Sequence, residues 1–402
     1  MLTIKNYLNQ SYDYLLITLI LILPFSKGLP NVILGLLALV FILDYKKKYF
    51  QEYLQSPLPY LAVLILYVSG QALINGTFML DLNIYKKYFY LILLPILFFK
   101  INNIQRFKIL SLIAINASII GCLFRIFKFY SKFKFFPFAD GWTTNFVLLQ
   151  ERPYMGVFCV IGIILAFEQL HKKNKGKYFY LFSILFSLAF ILFITVRMAM
   201  ITVLVLFIIY LFGYLKSNTI RKRLILAGFI LFLGTVFMLN KNISKRFFIN
   251  STLEKTIENI KQSEPRVIIF GCSGKIVQQD DFSFLFGFDS YTKISERLVA
   301  CYDDSIEDYS RKSWFLESKF NSHCQFIDFY LIGGIIGLLL FVTFIIKTFL
   351  YSYKDFFAMA VFAAFVMFLI VENVFYRQFG CYIFSIFVSL YIINVSRIDG
   401  KS

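Results

Sequence analysis

The stretch "KFNSHCQFIDFYLIGGIIGLLLF", Lys319 to Phe341, passes within a few residues from a polar segment into an apolar run, and His323 stands at the junction. The apolar run continues to about residue 350, enough for a helix to cross the roughly 30 Å hydrocarbon layer of a bilayer, which takes about 20 such residues. That reading decides the fold class, because the rest of the chain repeats it. Hydrophobic residues make up 59% of the 402 residues and charged residues 16%. A soluble domain carries roughly 25% charged residues. Mean hydropathy is +0.72, and an all-α polytopic membrane protein is expected.

Apolar runs predict about twelve spans, near 13 to 26, 28 to 43, 57 to 75, 84 to 99, 105 to 128, 153 to 170, 178 to 195, 196 to 215, 221 to 239, 326 to 350, 354 to 371 and 378 to 395. Three regions follow: a membrane domain of about nine helices (1–239), a polar loop subdomain (240–325), and the last three helices with a tail (326–402). The first run is followed by "LPFSKGLP" without a small-residue cleavage site, so it is expected to be a retained helix.

The formal charge of +18 has a topological rather than a nucleic-acid explanation. With the N-terminus inside, the short cytoplasmic connections, Lys5 and the tail hold 19 of the 41 basic residues. This is the positive-inside pattern. The segment 240–325 carries 12 basic and 12 acidic residues and contributes no net charge, so no basic patch for nucleic acid is expected there. Both termini are then cytoplasmic and the long loop lies on the outer face. Within that loop "ISKRFFINSTLEKTIENIKQ" reads as an amphipathic helix and "PRVIIFGCSGKIVQQ" as a second one. Gly287 in "FSFLFGFDSYT" reads as a turn, and "CYDDSIEDYS" as a solvated loop. No internal repeat is visible. Cys122, Cys159 and Cys381 fall in spans, whereas Cys272, Cys301 and Cys324 fall outside, where an oxidising compartment permits one disulfide and one leftover thiol. No C-x-x-C or H-x-x-H spacing supports a metal site, and no cofactor is implied.

Arginine is expensive within a bilayer, and Arg197 in "FITVRMAMITV" interrupts almost forty apolar residues. It is either a cation snorkelling from a helix end or one facing a cavity, where its planar fork of donors suits phosphate oxygens. Arg266 in "SEPRVIIFGCSGK" is a solvated charge or a second anion ligand. Arg152 opens the sixth span beside Glu151, and a local ion pair competes with a ligand role. Glu372, Asn373 and Arg377, between the last two spans, line a cavity or lock two helices together. Histidine is the side chain whose unperturbed pKa, about 6.5, suits a general base near neutrality, which makes His323 a candidate for that role. The glycines of "GGIIG", Gly333 to Gly337, most simply mark close helix packing. His171 lies in the basic "HKKNKGK" and carries no role.

In this order the landmarks "TVRMAM", "PRVIIF" leading to "FLFGFDS", "NSHCQFIDFYLIGGIIGLL" and "ENVFYRQFGCYIFSIFVSL" resemble the bacterial O-antigen ligase family, over roughly residues 150 to 395. The chain departs from the family in having Phe270 where a tryptophan is usual, and Cys324 after the histidine where asparagine is frequent. The resemblance implies a C-type glycosyltransferase architecture in the bacterial cytoplasmic membrane, with the long loop periplasmic. It implies transfer of a glycan from undecaprenyl-pyrophosphate to an acceptor hydroxyl, lipid A-core for a ligase, without a metal. Arg197 and Arg266 would hold the pyrophosphate, and His323 would take the acceptor proton. Arg152, Glu372 and Arg377 would line the cavity. Two alternatives remain at this point: an O-antigen or exopolysaccharide polymerase of the same family, and a flippase or transporter of lipid-linked oligosaccharides.

Overall fold

A computed structural model describes residues 2–138, 141–172, 175–224, 226–228 and 264–398. The amphipathic helix expected within 243–262 lies outside these residues, as does most of the span expected at 221 to 239. Among the described residues the regular secondary structure is all helical, apart from one isolated bridge between Ser283 and Gly287. The helices are α1 (Leu2–Ile22), α2 (Leu29–Leu43), α3 (Lys47–Gln55), α4 (Leu58–Ile74), α5 (Leu82–Phe98), α6 (Ile104–Phe133), α7 (Gly141–Val147), α8 (Arg152–His171), α9 (Lys177–Phe193) and α10 (Arg197–Ile209). After the gap come α11 (Pro265–Ile276), α12 (Tyr291–Ser305), α13 (Tyr309–Ser318), α14 (Gln325–Ser352), α15 (Phe356–Val371) and α16 (Gln378–Ile398).

Five of the described helical stretches are long and apolar enough to cross a membrane: α6, α8, α10 with its π-helical extension to Tyr214, α14 and α16. The pair α2 and α3, bent by 114°, adds a sixth if taken as one span. Shorter apolar helices include α4, α9 and α15. Helix α3 occupies what reads in the sequence as a plain connection. Its tyrosines Tyr49 and Tyr53 turn inward, and its lysines face out.

Helix α16 is the central column, and every side chain from Cys381 through Ile393 is at most 2% exposed. Its enclosure comes from its neighbours, since α16 contacts α5, α8, α14 and α15. Two cations of the supposedly solvated connections are buried as well. Lys100 meets Asp44 at 3.1 Å, and Lys108 meets Glu168 at 2.8 Å, where Tyr391 also donates its hydroxyl at 2.6 Å. Paired in this way they avoid the penalty of an isolated buried charge, but they mark the end of the bundle less strongly than free lysines would.

The opposite end, here the loop end, gathers the turns after α1, α4, α6, α9 and α15 together with α11 to α13. A disulfide joins Cys272 of α11 to Cys301 of α12, leaving Cys324 as the free thiol. The acidic run read as a loop instead finishes α12 and starts α13: Asp308 caps α13 by accepting from the Arg311 amide, and Asp303 pairs with Lys312 at 2.9 Å.

The glycines of α14 do more than allow close packing. Gly334 has φ 61° and ψ −158°, a backbone region essentially restricted to glycine, and the helix breaks there. The segment 283–288 docks into the break. Phe288 donates its amide to the Leu331 carbonyl at 2.8 Å, and Ile335 donates to Phe284 at 2.9 Å. A freed helical carbonyl thus gains a loop amide, and a freed helical amide a loop carbonyl. The Gly333 carbonyl accepts from the Tyr67 hydroxyl of α4 at 3.0 Å. Gly287, at φ 75°, closes the turn by pairing with Ser283, and a Cβ there would strike the Leu331 carbonyl.

Candidate functional site

Arg197 is the first residue of α10, after a tight turn in which Thr195 adopts a left-handed conformation. Arg266 is in the first turn of α11, directly after Pro265, which suits a helix start because its missing amide has no helical partner to lose. Between the two stands Glu264. Its Oε2 accepts from Arg197 Nη2 at 3.0 Å and its Oε1 from Arg266 Nη1 at 2.9 Å. Two arginines distant in sequence therefore address one anion. Both guanidinium groups remain about one third exposed, with side-chain exposures of 40% and 32%.

Arg266 also donates Nε to the Val371 carbonyl at 3.3 Å, which ties α11 to the end of α15. The next residue is Glu372. Its Oε1 lies 3.4 Å from Nδ1 of His323, close enough to orient the ring and long for a hydrogen bond. Burial would raise the Glu372 carboxyl, but the close approach of His323, with the charges of Arg266 and Arg377 nearby, outweighs it and holds the carboxyl below its ordinary range. His323 is the last residue before the helix cap Cys324, at φ 44°, and Phe320 leans on its ring. Its own amide donates to the Asn321 side chain at 3.1 Å.

Behind the histidine lies a buried polar network. Asn373 donates to Asp328 Oδ1 at 3.0 Å and to the Ser322 hydroxyl at 3.0 Å. Gln325 donates to Asp328 Oδ2 at 3.2 Å and accepts from the Phe375 amide at 3.1 Å. These bonds lock the turn 322–325 to the turn 372–375, so His323 and Glu372 are held from both sides. Tyr376 closes the network. Burial, then the Asp328 charge, pushes its phenol well above the usual range.

Arg377 and Arg152 stand further away. Arg377 pairs with Glu151 at 2.8 Å, so the local Glu151–Arg152 pair considered from sequence is replaced by a bridge between the start of α8 and the start of α16. Burial raises the Glu151 carboxyl, Arg377 only partly offsets it, and Glu372 adds to the rise. Arg152 instead turns to α7, its amide donating to Asn145 at 2.9 Å and its guanidinium reaching the Thr144 hydroxyl. Of the sequence candidates, Arg197, Arg266, Glu372 and His323 form one continuous chain of contacts, Arg377 borders it, and Arg152 holds α7. Glu264 and Asp328 were missed. Asp328 was visible as an acidic residue just inside an apolar run, whereas Glu264 had no signal beyond its place before Pro265.

The chain matches no family profile and no curated protein.

Proposed function

We propose that the protein is a glycosyltransferase of the O-antigen ligase type, moving an O-antigen or related glycan from undecaprenyl-pyrophosphate to an acceptor hydroxyl, lipid A-core, on the periplasmic face of the bacterial cytoplasmic membrane. The observation that carries this reading is the convergence of Arg197 and Arg266 on one carboxylate, Glu264, beside the His323–Glu372 pair. The Glu264 carboxylate supports this reading, since carboxylate and phosphate oxygens both accept charge-assisted hydrogen bonds from guanidinium donors. The Cys272–Cys301 disulfide supports an oxidising side for this end.

In the reaction His323 accepts the acceptor hydroxyl proton, the acceptor oxygen bonds to the anomeric carbon, and the bond from that carbon to the phosphate oxygen breaks. Undecaprenyl-pyrophosphate departs with the electron pair, and the two arginines stabilise its charge. Glu372 favours the Nδ1–H tautomer, which leaves Nε2 to take the proton. A lipid pyrophosphate is already a good leaving group, so positioning and charge neutralisation suffice.

The same chemistry on a lipid-linked acceptor would make the protein a polymerase. A transporter of lipid-linked oligosaccharides is the other reading, and the break in α14 at Gly334 favours it, because transporters build their sites from interrupted helices. One assay separates all three. Purified protein in detergent with EDTA receives undecaprenyl-pyrophosphate oligosaccharide with lipid A-core or an unelongated lipid-linked unit, beside a His323→Ala control. Product on lipid A-core supports the ligase, longer lipid-linked chains make it a polymerase, and no product with either overturns glycan transfer.

A further inference from the structure

The segment 283–288, "SFLFGF", belongs by sequence to the polar loop, yet Phe284, Leu285 and Phe286 stand in a row at 61%, 50% and 50% exposure. Three large apolar side chains side by side are a poor surface to offer water. The carbonyls of the segment, by contrast, are satisfied by the protein itself. Ser283 and Gly287 bond each other, Phe284 accepts from the Ile335 amide at 2.9 Å, Leu285 from the Ile336 amide at a long 3.5 Å, and Phe286 from the Gln71 side chain at 3.3 Å. The backbone is pressed against α14 at Gly334, where a Cβ would strike the Leu285 carbonyl, so the side chains of 284–286 are left on the outer face. Irregular backbone is tolerated at membrane depth only where the protein satisfies it, and here α14 and α4 do so.

The two helices that hold the segment continue its apolar face. Val63, Leu66 and Leu73 of α4 are each at least half exposed and recur at helical spacing, with Gln71 at the edge of their stripe. On α14, Leu339 and Ile346 are likewise exposed, Leu339 one turn beyond Ile335. Depth follows from Lys347, the first charged residue of α14 after Asp328, whose ammonium lies 5.7 Å from the Tyr60 ring at the far end of α4. A hydrocarbon layer of about 20 residues counted back from Lys347 begins near Ile327, which puts the break at Gly334 about 10 Å inside it. Charged pairs stand only at the neck of the segment: Asp281 with Arg297 at 2.6 Å before it, and Asp289 with Lys293 at 3.5 Å after it.

We propose that residues 283–288 form a re-entrant hairpin whose Phe284, Leu285 and Phe286 side chains contact the acyl chains of the bilayer leaflet at the loop end. Its partner is the lipid hydrocarbon, the same partner that the exposed stripes of α4 and α14 meet. The inference requires a membrane and no particular reaction, so it stands independently of glycan transfer.

Fluorescence of the full chain in phosphatidylcholine vesicles tests it. With the two native tryptophans, Trp142 and Trp314, replaced by phenylalanine, Phe284→Trp and Phe286→Trp each put the single indole at the tip, one exposed aromatic ring for another. Leu339→Trp serves as the lipid reference, and Asp304→Trp, exposed near the end of α12, as the water reference. Phosphatidylcholine brominated in mid-chain is expected to quench both tip variants nearly as strongly as Leu339→Trp, and aqueous acrylamide to quench them several-fold less than Asp304→Trp. Quenching by acrylamide and not by the brominated lipid overturns the proposal in favour of a solvated loop. Shielding of both tip variants from both quenchers overturns it as well, because protein, from this chain or a second copy, would then cover the tip. A melting curve identifies a variant that fails to fold, and the other tip variant then carries the result.

Discussion

Glu372 Oε1 stands 3.4 Å from His323 Nδ1, with its carboxyl held below the ordinary glutamate range despite burial. A carboxyl lowered on folding stabilises the folded state above its ordinary pKa of about 4.3, and loses that contribution as pH falls from there through the lowered value. Glu372→Gln should therefore melt below the wild type at pH 7, by a few degrees on the order typical of one lost interaction. The gap should close near pH 3. A gap that persists unchanged in acid would show that Glu372 contributes by shape rather than charge.

His323→Ala should remove the general base and lower transfer by about 10² to 10⁴. Binding of the lipid-pyrophosphate donor should persist. Retained transfer would sink the proton-acceptor role, whereas joint loss of binding and turnover would move His323 into the donor site.

Arg197→Lys and Arg266→Lys keep the charge and lose the fork, and each should cut turnover by roughly 10² or more, as loss of an oriented donor does elsewhere. Glu264→Gln has the opposite sense for binding. It removes the internal anion that competes for both guanidiniums, so donor KM should fall. An increase in donor KM would mean that the carboxylate positions the arginines rather than occupying their ligand's place.

Gly334→Ala places a Cβ against the Leu285 carbonyl at a φ of 61°, where side chains are strained. Close overpacking costs about 1 to 3 kcal/mol and the left-handed backbone roughly 1 to 2 more, so a fall of several degrees in Tm is expected. Gly70→Ala, on α4 with open space around it, provides the neutral comparison.

Replacing Cys272 and Cys301 together by serine opens a loop of 29 positions. Chain-entropy reasoning assigns such a bridge roughly 3 kcal/mol. Melting with and without a reducing agent should differ for the wild type and coincide for the double variant.

The apolar helices were legible because each is one unbroken apolar run, although only five or six of the described ones are long enough to cross a bilayer. The runs expected between 28 and 215 and after 326 coincide with described helices to within a few residues. The break at Gly334 was not legible, since "GGIIG" is equally the pattern of two helices in close contact, and only the docked 283–288 segment distinguishes them. His323, Arg197, Arg266 and Glu372 stood out because each is a charged or titratable group at the edge of an apolar run. Glu264 did not, because its significance comes from Arg197, 67 positions earlier, and no local pattern carries that distance. The Asp328 network was hidden for a related reason. Its partners Ser322, Asn373 and Gln325 belong to two turns that meet only in the folded chain.

The docking of residues 283–288 into α14 also sets an order of assembly. The hairpin is synthesised before the helix it completes, and although it pairs with itself and accepts from Gln71 of α4, its bonds to α14 wait until Leu331 to Ile336 have emerged and stopped short of continuous helix. The upper turns of α14, from which the His323 turn departs, are thus finished only after the loop has reached the same side of the bundle. A chain whose loop failed to arrive would carry its helices and lack its site.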